Sequence, residues 1–180
     1  MNARSMTSKL KRFGEGWTVM SSPSAPVYGV IARETDRLDL PTDSAVQAGS
    51  VIQRNVDGSA WLCRDICNHG GLYLSAEVQK CSHFSTVYRQ APASKDTFGR
   101  DTAVELVPIL ENIPLHLVSR TMSPDMGKDR SKLTWQATFE TSAVYDIHPA
   151  DELHTVTSEF RVLGAVELTP GVLTISAISI

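Results

Sequence analysis

Alternation of apolar and polar residues is the feature that most constrains how this chain folds. In residues 133–140, Leu133, Trp135, Ala137 and Phe139 fall on one face, and the polar side chains fall on the other. A period of two residues is typical of a β-strand with one buried face. Residues 72–79 repeat the alternation. Four further segments, rich in β-branched, aromatic and leucine residues, are also predicted to be strands: 60–66, 113–119, 159–167 and 171–180.

Turn-forming residues separate these predicted strands, and helical periodicity is scarce. The turn signals are Asp57-Gly58, Asn68 with Gly70-Gly71, Phe98-Gly99 and Pro170-Gly171. Possible helix is confined to the first dozen residues and to residues 102–107. Short strands with regular turns favour an all-β sandwich or barrel over an α/β enzyme.

An internal repeat of strand, tight turn, strand, tight turn and strand indicates two similar units. The first copy covers residues 48–76, and the second covers residues 150–177. A repeat of this kind is typical of tandem copies of one small fold. The sequence therefore predicts an all-β chain of two tandem small β-barrel domains, residues 1–80 and 81–180, with a short helical or extended N-terminal arm.

Composition and charge exclude several classes of protein. Of the 180 residues, 42% are hydrophobic and 21% are charged, which is ordinary for a globular protein and unlike a disordered chain. No apolar run is long enough for a transmembrane helix, and we expect no membrane partner. The formal net charge of -3 argues against a free-standing nucleic-acid-binding protein.

The first residues of the chain are basic. Arg4, Lys9, Lys11 and Arg12 precede the first acidic residue, Glu15, and we interpret this run as a solvated, poorly ordered tail. The run lacks the apolar segment of a secretory signal peptide. We therefore expect a reducing compartment, in which the three cysteines are free thiols.

Short motifs punctuate the predicted hairpins of the second half. One is the stretch 86–89, Thr-Val-Tyr-Arg, followed by residues 96–100, Asp-Thr-Phe-Gly-Arg. Another is the stretch 146–151, Asp-Ile-His-Pro-Ala-Asp, followed by residues 159–166. These stretches resemble bacteriophage head–tail connector proteins of the stopper, or head-completion, type. Residues 10–14 and the hairpin through Gly49, Gly58 and Trp61 are similar to the same class, whereas Ala150 stands where that family usually has glycine.

The resemblance implies a structural, non-enzymatic role in the virion. Such proteins form a ring, typically sixfold, in the neck beneath the portal and its adaptor. They close the DNA channel after packaging and present a surface to the tail. The implied partners are copies of the chain itself, portal and adaptor proteins and tail proteins, while packaged DNA passes through without sequence-specific binding. The expected location is the virion neck, with assembly in the host cytoplasm, and no cofactor is expected.

Two long polar segments, residues 36–47 and 119–132, are candidates for a channel or docking loop. Loops of this length in a compact domain are usually functional or unstructured, and a simple surface loop is an equally good interpretation. The candidate residues of the second segment are Met122, Asp125, Met126, Lys128, Asp129, Arg130 and Lys132.

Cysteine and histidine residues in the middle of the chain give a competing hypothesis, a Rieske-like or zinc-binding domain with a redox or structural metal. A Rieske centre takes its ligands from a Cys-x-His box and a Cys-x-x-His box, and the second box is one residue shorter here. Zinc is the other option. A cysteine on an apolar strand face is equally well a small core residue. The residues in question are Cys63, Cys67, His69, Cys81 and His83.

Catalytic motifs do not provide a further candidate. The chain has no Gly-x-Ser-x-Gly elbow, no Walker A loop and no His-Glu-x-x-His pair. We therefore predict that it is not an enzyme. A generic ligand-binding barrel is a third hypothesis, and it requires a roomy apolar interior.

Overall fold

A computed structural model describes residues 3–20, 24–32, 36–91, 105–124 and 133–180. Within these residues the chain forms one helix followed by twelve strands. Their bounds are α1 Ala3–Phe13, β1 Glu15–Val19, β2 Ala25–Ala32, β3 Arg37–Leu40, β4 Val51–Arg54, β5 Ala60–Asn68, β6 Leu74–Lys80, β7 His83–Gln90, β8 Leu106–Pro124, β9 Leu133–Ser142, β10 Glu152–Thr155, β11 Glu159–Thr169 and β12 Val172–Ser179. No helix among the described residues is both long and apolar enough to cross a bilayer.

The strands close into two six-stranded antiparallel barrels. The strand order is β1-β2-β3-β6-β5-β4 in the first barrel and β7-β8-β9-β12-β11-β10 in the second. The two barrels therefore have the same topology: β7 corresponds to β1, β8 to β2, and so on to β12 and β6. This correspondence matches the internal repeat in the sequence. The predicted fold class, two tandem β-barrels with a short helical or extended N-terminal arm, is confirmed, and the arm is the helix α1. β6 ends at Lys80 and β7 begins at His83; the division into domains 1–80 and 81–180 stays a prediction.

Each barrel is filled by its own apolar side chains. In β9, Ala137 and Phe139 point into the second barrel as the alternation predicts, and in β6, Ala76 and Val78 point into the first. Packed interiors of this kind leave small barrels without a lumen. The largest fully buried side chains are Trp17, Leu38, Leu40, Ile52 and Val78 in the first barrel and Val87, Ile113, Leu115, Phe139, Leu153 and Ile175 in the second.

Four local predictions are wrong in the described residues. The basic run is not a poorly ordered tail: it forms the helix predicted for the first dozen residues, over Ala3–Phe13, and Leu10 is buried beside the barrel. Residues 36–47 are not one loop, because Arg37–Leu40 forms β3. Residues 105–107 are not helical, because β8 begins at Leu106. Leu72 lies in a turn with its side chain 37% exposed, because β6 begins two residues later.

The candidate loop 119–132 is also shorter than predicted. β8 continues to Pro124, so residues 119–124 are strand. A register shift between Leu117 and Ser119 places Val118 in a bulge. A bulge inserts one unpaired residue and reverses the faces that follow, which is why the alternation in the sequence breaks at this point.

A third apolar cluster joins the two barrels. Val51, Ala60, Leu62 and Cys81 are buried there together with Val172 of β12. Polar contacts flank this cluster: the guanidinium of Arg64 in β5 meets the carboxylate of Glu140 in β9, with Nε and Oε2 3.4 Å apart, and His116 Nδ1 lies 3.0 Å from the carbonyl oxygen of Lys80. The barrels therefore share a buried interface.

The closest approach at this junction is between two turns. Gly49, before β4, and Gly171, between β11 and β12, have φ values of +80° and +78°. A Cβ atom built on Gly49 would lie 2.0 Å from the carbonyl oxygen of Gly171. Only glycine combines a left-handed backbone with so close a backbone contact.

Candidate functional site

The five cysteine and histidine residues of the metal hypothesis are all described, and they do not form one site. Cys63 belongs to the core of the first barrel, whereas Cys81 belongs to the junction cluster. Cys67 is exposed, His69 stacks on Tyr73, and His83 packs edge-on against Phe139 of the second barrel. Among the described residues, no group of three or more His, Cys, Asp or Glu is placed to hold a metal ion.

Burial controls the chemistry of the thiols. Burial raises the pKa of Cys63 to about 12, and nearby Asp65 and Glu77 add to the increase. Burial likewise raises the pKa of Cys81 to about 12. A thiol ligates a metal as the thiolate, and these two buried thiols lie in different apolar clusters. Burial also lowers the pKa of His83, and the positive charge of Arg120 lowers it further.

We expect only Cys67 to react rapidly with a thiol reagent in the folded protein at pH 8. Cys63 and Cys81 are buried, and their pKa values of about 12 leave almost no thiolate. Ellman's reagent should therefore modify one thiol quickly in the native chain and three in guanidinium chloride. Cys67→Ala is the control, because it should remove the fast phase without affecting the other two thiols. Rapid modification of Cys63 in the native state would contradict this placement.

The candidate loop falls mostly outside the described residues. Asp125, Met126, Lys128, Asp129, Arg130 and Lys132 lie in the segment 125–132, whereas Met122 lies in β8 with 52% of its side chain exposed. β8 and β9 lead to this segment from either side. Met122 pairs with Trp135 of β9, and the guanidinium of Arg120 lies 4.4 Å from the Trp135 ring centroid.

The β8–β9 hairpin continues beyond the pairing of its neighbours. β12 pairs with β9 only as far as Gln136, whereas β8 pairs with β9 as far as Leu133. β7 pairs with β8 only up to Leu115. The outer backbone edge of β8 over Ser119–Pro124 has no strand partner among the residues the structure describes. Within the described part of the chain, this segment is therefore a strand edge that the barrel pairing does not cover.

The motif residues Arg89 and Asp151 form a partly buried ion pair in the second barrel, between β7 and the residue before β10. Arg89 Nε and Nη2 donate to the two carboxylate oxygens of Asp151 at 2.8 and 2.9 Å. The Asp151 side chain is 2% exposed, and that of Arg89 is 35% exposed. Asp151 also accepts a hydrogen bond from the backbone N–H of His148 at 2.8 Å. A planar guanidinium suits such two-point recognition of a carboxylate.

Asp146 extends this pair into a network. Arg89 Nη2 donates to the Asp146 carbonyl oxygen at 2.8 Å, and His148 Nε2 lies 2.6 Å from the Asp146 carboxylate. Hydrogen bonds from His148 and Arg89 hold the pKa of Asp146 below its usual value, and the bond to Asp151 raises the pKa of Arg89. Ala150 takes a left-handed φ of +74° in this turn. The network ties β7 to the loop that enters β10, so these motif residues have a structural role.

Residues 96–100, the other part of the first motif, lie outside the described residues. A groove of about 640 Å³ borders both barrels. Met20, Gln47 and Ser50 line it from the first barrel, and Val144 and Tyr145 line it from the second. Burial raises the pKa of the Tyr145 hydroxyl. The described lining has no charged side chain.

Comparison with known proteins gives two distant structural likenesses. No family model matches the chain, and no curated protein matches it. A chain from the virion of a native gene transfer agent particle is 13% identical, with a TM-score of 0.44 over 54% of this chain and 93% of that chain. The complex of K. pneumonia MrkH with c-di-GMP is 10% identical, with a TM-score of 0.26 over 99% of this chain and 86% of that chain. Both TM-scores are below 0.5, so neither likeness establishes a shared fold or function.

Proposed function

We propose that this chain is a structural protein of a tailed-phage virion. It forms a ring in the neck, joins the portal and adaptor to the tail, and closes the DNA channel after packaging. Its partners are further copies of itself, in a sixfold ring, together with portal, adaptor and tail proteins. It assembles in the host cytoplasm, resides in the neck of the virion, and works without catalysis or a cofactor.

The observation that carries this proposal is the outer edge of β8 over Ser119–Pro124, which pairs with no strand that the structure describes. Unpaired N–H and C=O groups on a strand edge bind a further strand by β-augmentation. The exposed side chains beside this edge include Val118 at 50% and Met122 at 52% exposure, which adds apolar area to such a contact. A head-to-tail contact of this kind closes into a ring when the rotation between subunits closes.

Two further observations support the proposal. The apolar junction and the Gly49–Gly171 contact join the barrels through a buried interface, which suits a protein that transmits load between two neighbours. The Arg89–Asp151 pair occupies the motif positions that resemble the stopper family. The pair stabilises the second barrel, which includes the β8–β9 hairpin, as expected of a structural protein.

Co-sedimentation with DNA-filled, tailless heads of the phage tests this proposal. We expect the chain to pellet with the heads at a fixed stoichiometry. The double variant Val118→Arg/Met122→Arg should lose this association, because charges beside an edge strand oppose strand addition. Val156→Arg is the matched control, because Val156 is 98% exposed on a different part of the same barrel. A wild-type chain that stays in the supernatant would contradict the proposal, and equal binding by all three proteins would exclude the β8 edge as the contact.

A further inference from the structure

Helix α1 presents a continuous basic face on the outside of the first barrel. Leu10 is 5% exposed and docks the helix, whereas Arg4, Lys9, Lys11 and Arg12 are exposed. At 3.6 residues per turn, these four cations occupy the side of the helix opposite Leu10. The helix contains no acidic residue. The charge of this face is therefore opposite in sign to the formal net charge of the whole chain, which is -3.

A groove of about 610 Å³ runs between this basic face and the loop after β3. Its lining combines three cations, three hydroxyl groups and one carboxylate. Lys11 Nζ lies 2.8 Å from Asp43 Oδ2, and this contact lowers the pKa of Asp43. The groove is therefore concave, polar and positively charged overall. The lining residues are Arg4, Thr7, Ser8, Lys11, Arg12, Thr42 and Asp43.

We propose that this groove and the basic face of α1 bind the phosphodiester backbone of duplex DNA. Guanidinium and ammonium groups interleaved with hydroxyls are the side chains that contact DNA phosphates. The 11-residue helix is about 16 Å long, and duplex DNA carries one charge for roughly each 1.7 Å of its axis. Several phosphates can therefore face the helix at once. The contact depends on charge and carries no sequence preference.

The apolar residues of α1 argue against a lipid surface as the target. A helix that lies on a membrane inserts an apolar face and keeps its basic residues at the headgroups. In α1 the apolar side, with Met6 and Leu10, faces the first barrel and is partly or fully buried. Phe13, at the end of the helix, is 70% exposed, and a single ring does not make an apolar face.

The inference goes beyond the proposed neck function and stands on different residues. The β8 edge over Ser119–Pro124 belongs to the second barrel, whereas the basic face lies beside the first. The test uses the purified chain and free DNA, so it can fail while the head-binding experiment succeeds, and the reverse also holds.

Fluorescence anisotropy with a labelled random-sequence DNA duplex tests the inference. We expect salt-dependent binding by the wild-type chain. Arg4→Gln/Arg12→Gln should weaken binding about tenfold at low salt and reduce the slope of log affinity against log salt by about 2, one for each cation removed. Arg37→Gln/Arg161→Gln is the matched control. It removes the same charge from exposed positions outside the groove, and it should bind within about twofold of wild type if the contact is local.

Three results would overturn the inference. The first is an absence of DNA binding by the wild-type chain at low salt. The second is an equal loss of affinity in both double variants, because this would show a general effect of net charge. The third is tighter binding to vesicles of phosphatidylcholine and phosphatidylserine than to DNA at the same salt, since this would identify a lipid surface as the target. Circular dichroism of both variants verifies that they remain folded.

Discussion

Gly49→Ala should lower the free energy of unfolding by about 3 kcal/mol or more. A residue other than glycine in the left-handed region costs roughly 1–2 kcal/mol. Forcing an extra atom into a packed contact adds about 1–3 kcal/mol. Gly49 has φ +80°, and its new Cβ would lie 2.0 Å from the Gly171 carbonyl oxygen. The turn must move away from Gly171, which opens the junction between the barrels. For a chain of this size, we expect the Tm to fall by about 6–12 °C.

Gly70→Ala separates the two causes. Gly70 also has a positive φ, +61°, but a Cβ atom built there meets nothing within 4 Å. This variant therefore carries the backbone cost alone, and we expect a loss of about 1 kcal/mol. Thermal denaturation of both variants is the measurement. Equal losses for Gly49→Ala and Gly70→Ala would contradict the close contact between the two turns.

Arg89→Ala should produce the second large effect, a loss of about 3 kcal/mol in the free energy of unfolding. Removing one partner of a buried pair leaves an uncompensated charge and costs about 3–5 kcal/mol. We expect the lower end of that range, because Arg89 is 35% exposed while Asp151 is 2% exposed. Chemical denaturation followed by tryptophan fluorescence measures the loss.

A double-mutant cycle with Asp151→Ala isolates the interaction. The loss in Arg89→Ala/Asp151→Ala should be smaller than the sum of the two single losses by about 1 kcal/mol or more, because the residues share one contact. Lys11→Ala provides the control. Its pair with Asp43 is 49% and 60% exposed at the two side chains, and exposed pairs are worth about 0–1 kcal/mol. Strict additivity of the Arg89 and Asp151 losses would contradict the pairing.

The strands that alternate clearly could be predicted from the sequence, and those with interruptions could not. The burial of Ala137 and Phe139 follows from the period of two in β9. β3 was missed because four residues give only two inward positions, Leu38 and Leu40. The end of β8 was missed because the bulge at Val118 reverses its faces. Local periodicity therefore fails at bulges, at very short strands, and at the eight-residue β2, whose outward residues Tyr28 and Val30 are themselves apolar.

The candidate sites depend on long-range contacts, and so the sequence indicated them only in part. Arg89 and Asp151 stand out as motif residues, but their pairing joins positions 62 residues apart in the sequence. The contact between Gly49 and Gly171 depends on how the two barrels dock. The basic run at the N-terminus is visible in the sequence, whereas its groove requires the loop with Asp43 to lie beside α1. The cysteine and histidine spacing indicated a metal site that the fold does not assemble.

Retention of packaged DNA is the most direct test of the central claim, that the chain closes the channel of a phage neck. Purified DNA-filled, tailless heads release DNA that becomes sensitive to nuclease, and the released fraction can be followed with time. We expect stoichiometric addition of the wild-type chain to slow this release, and Val118→Arg/Met122→Arg to leave it unchanged. Release at the same rate with and without the wild-type chain would contradict the claim.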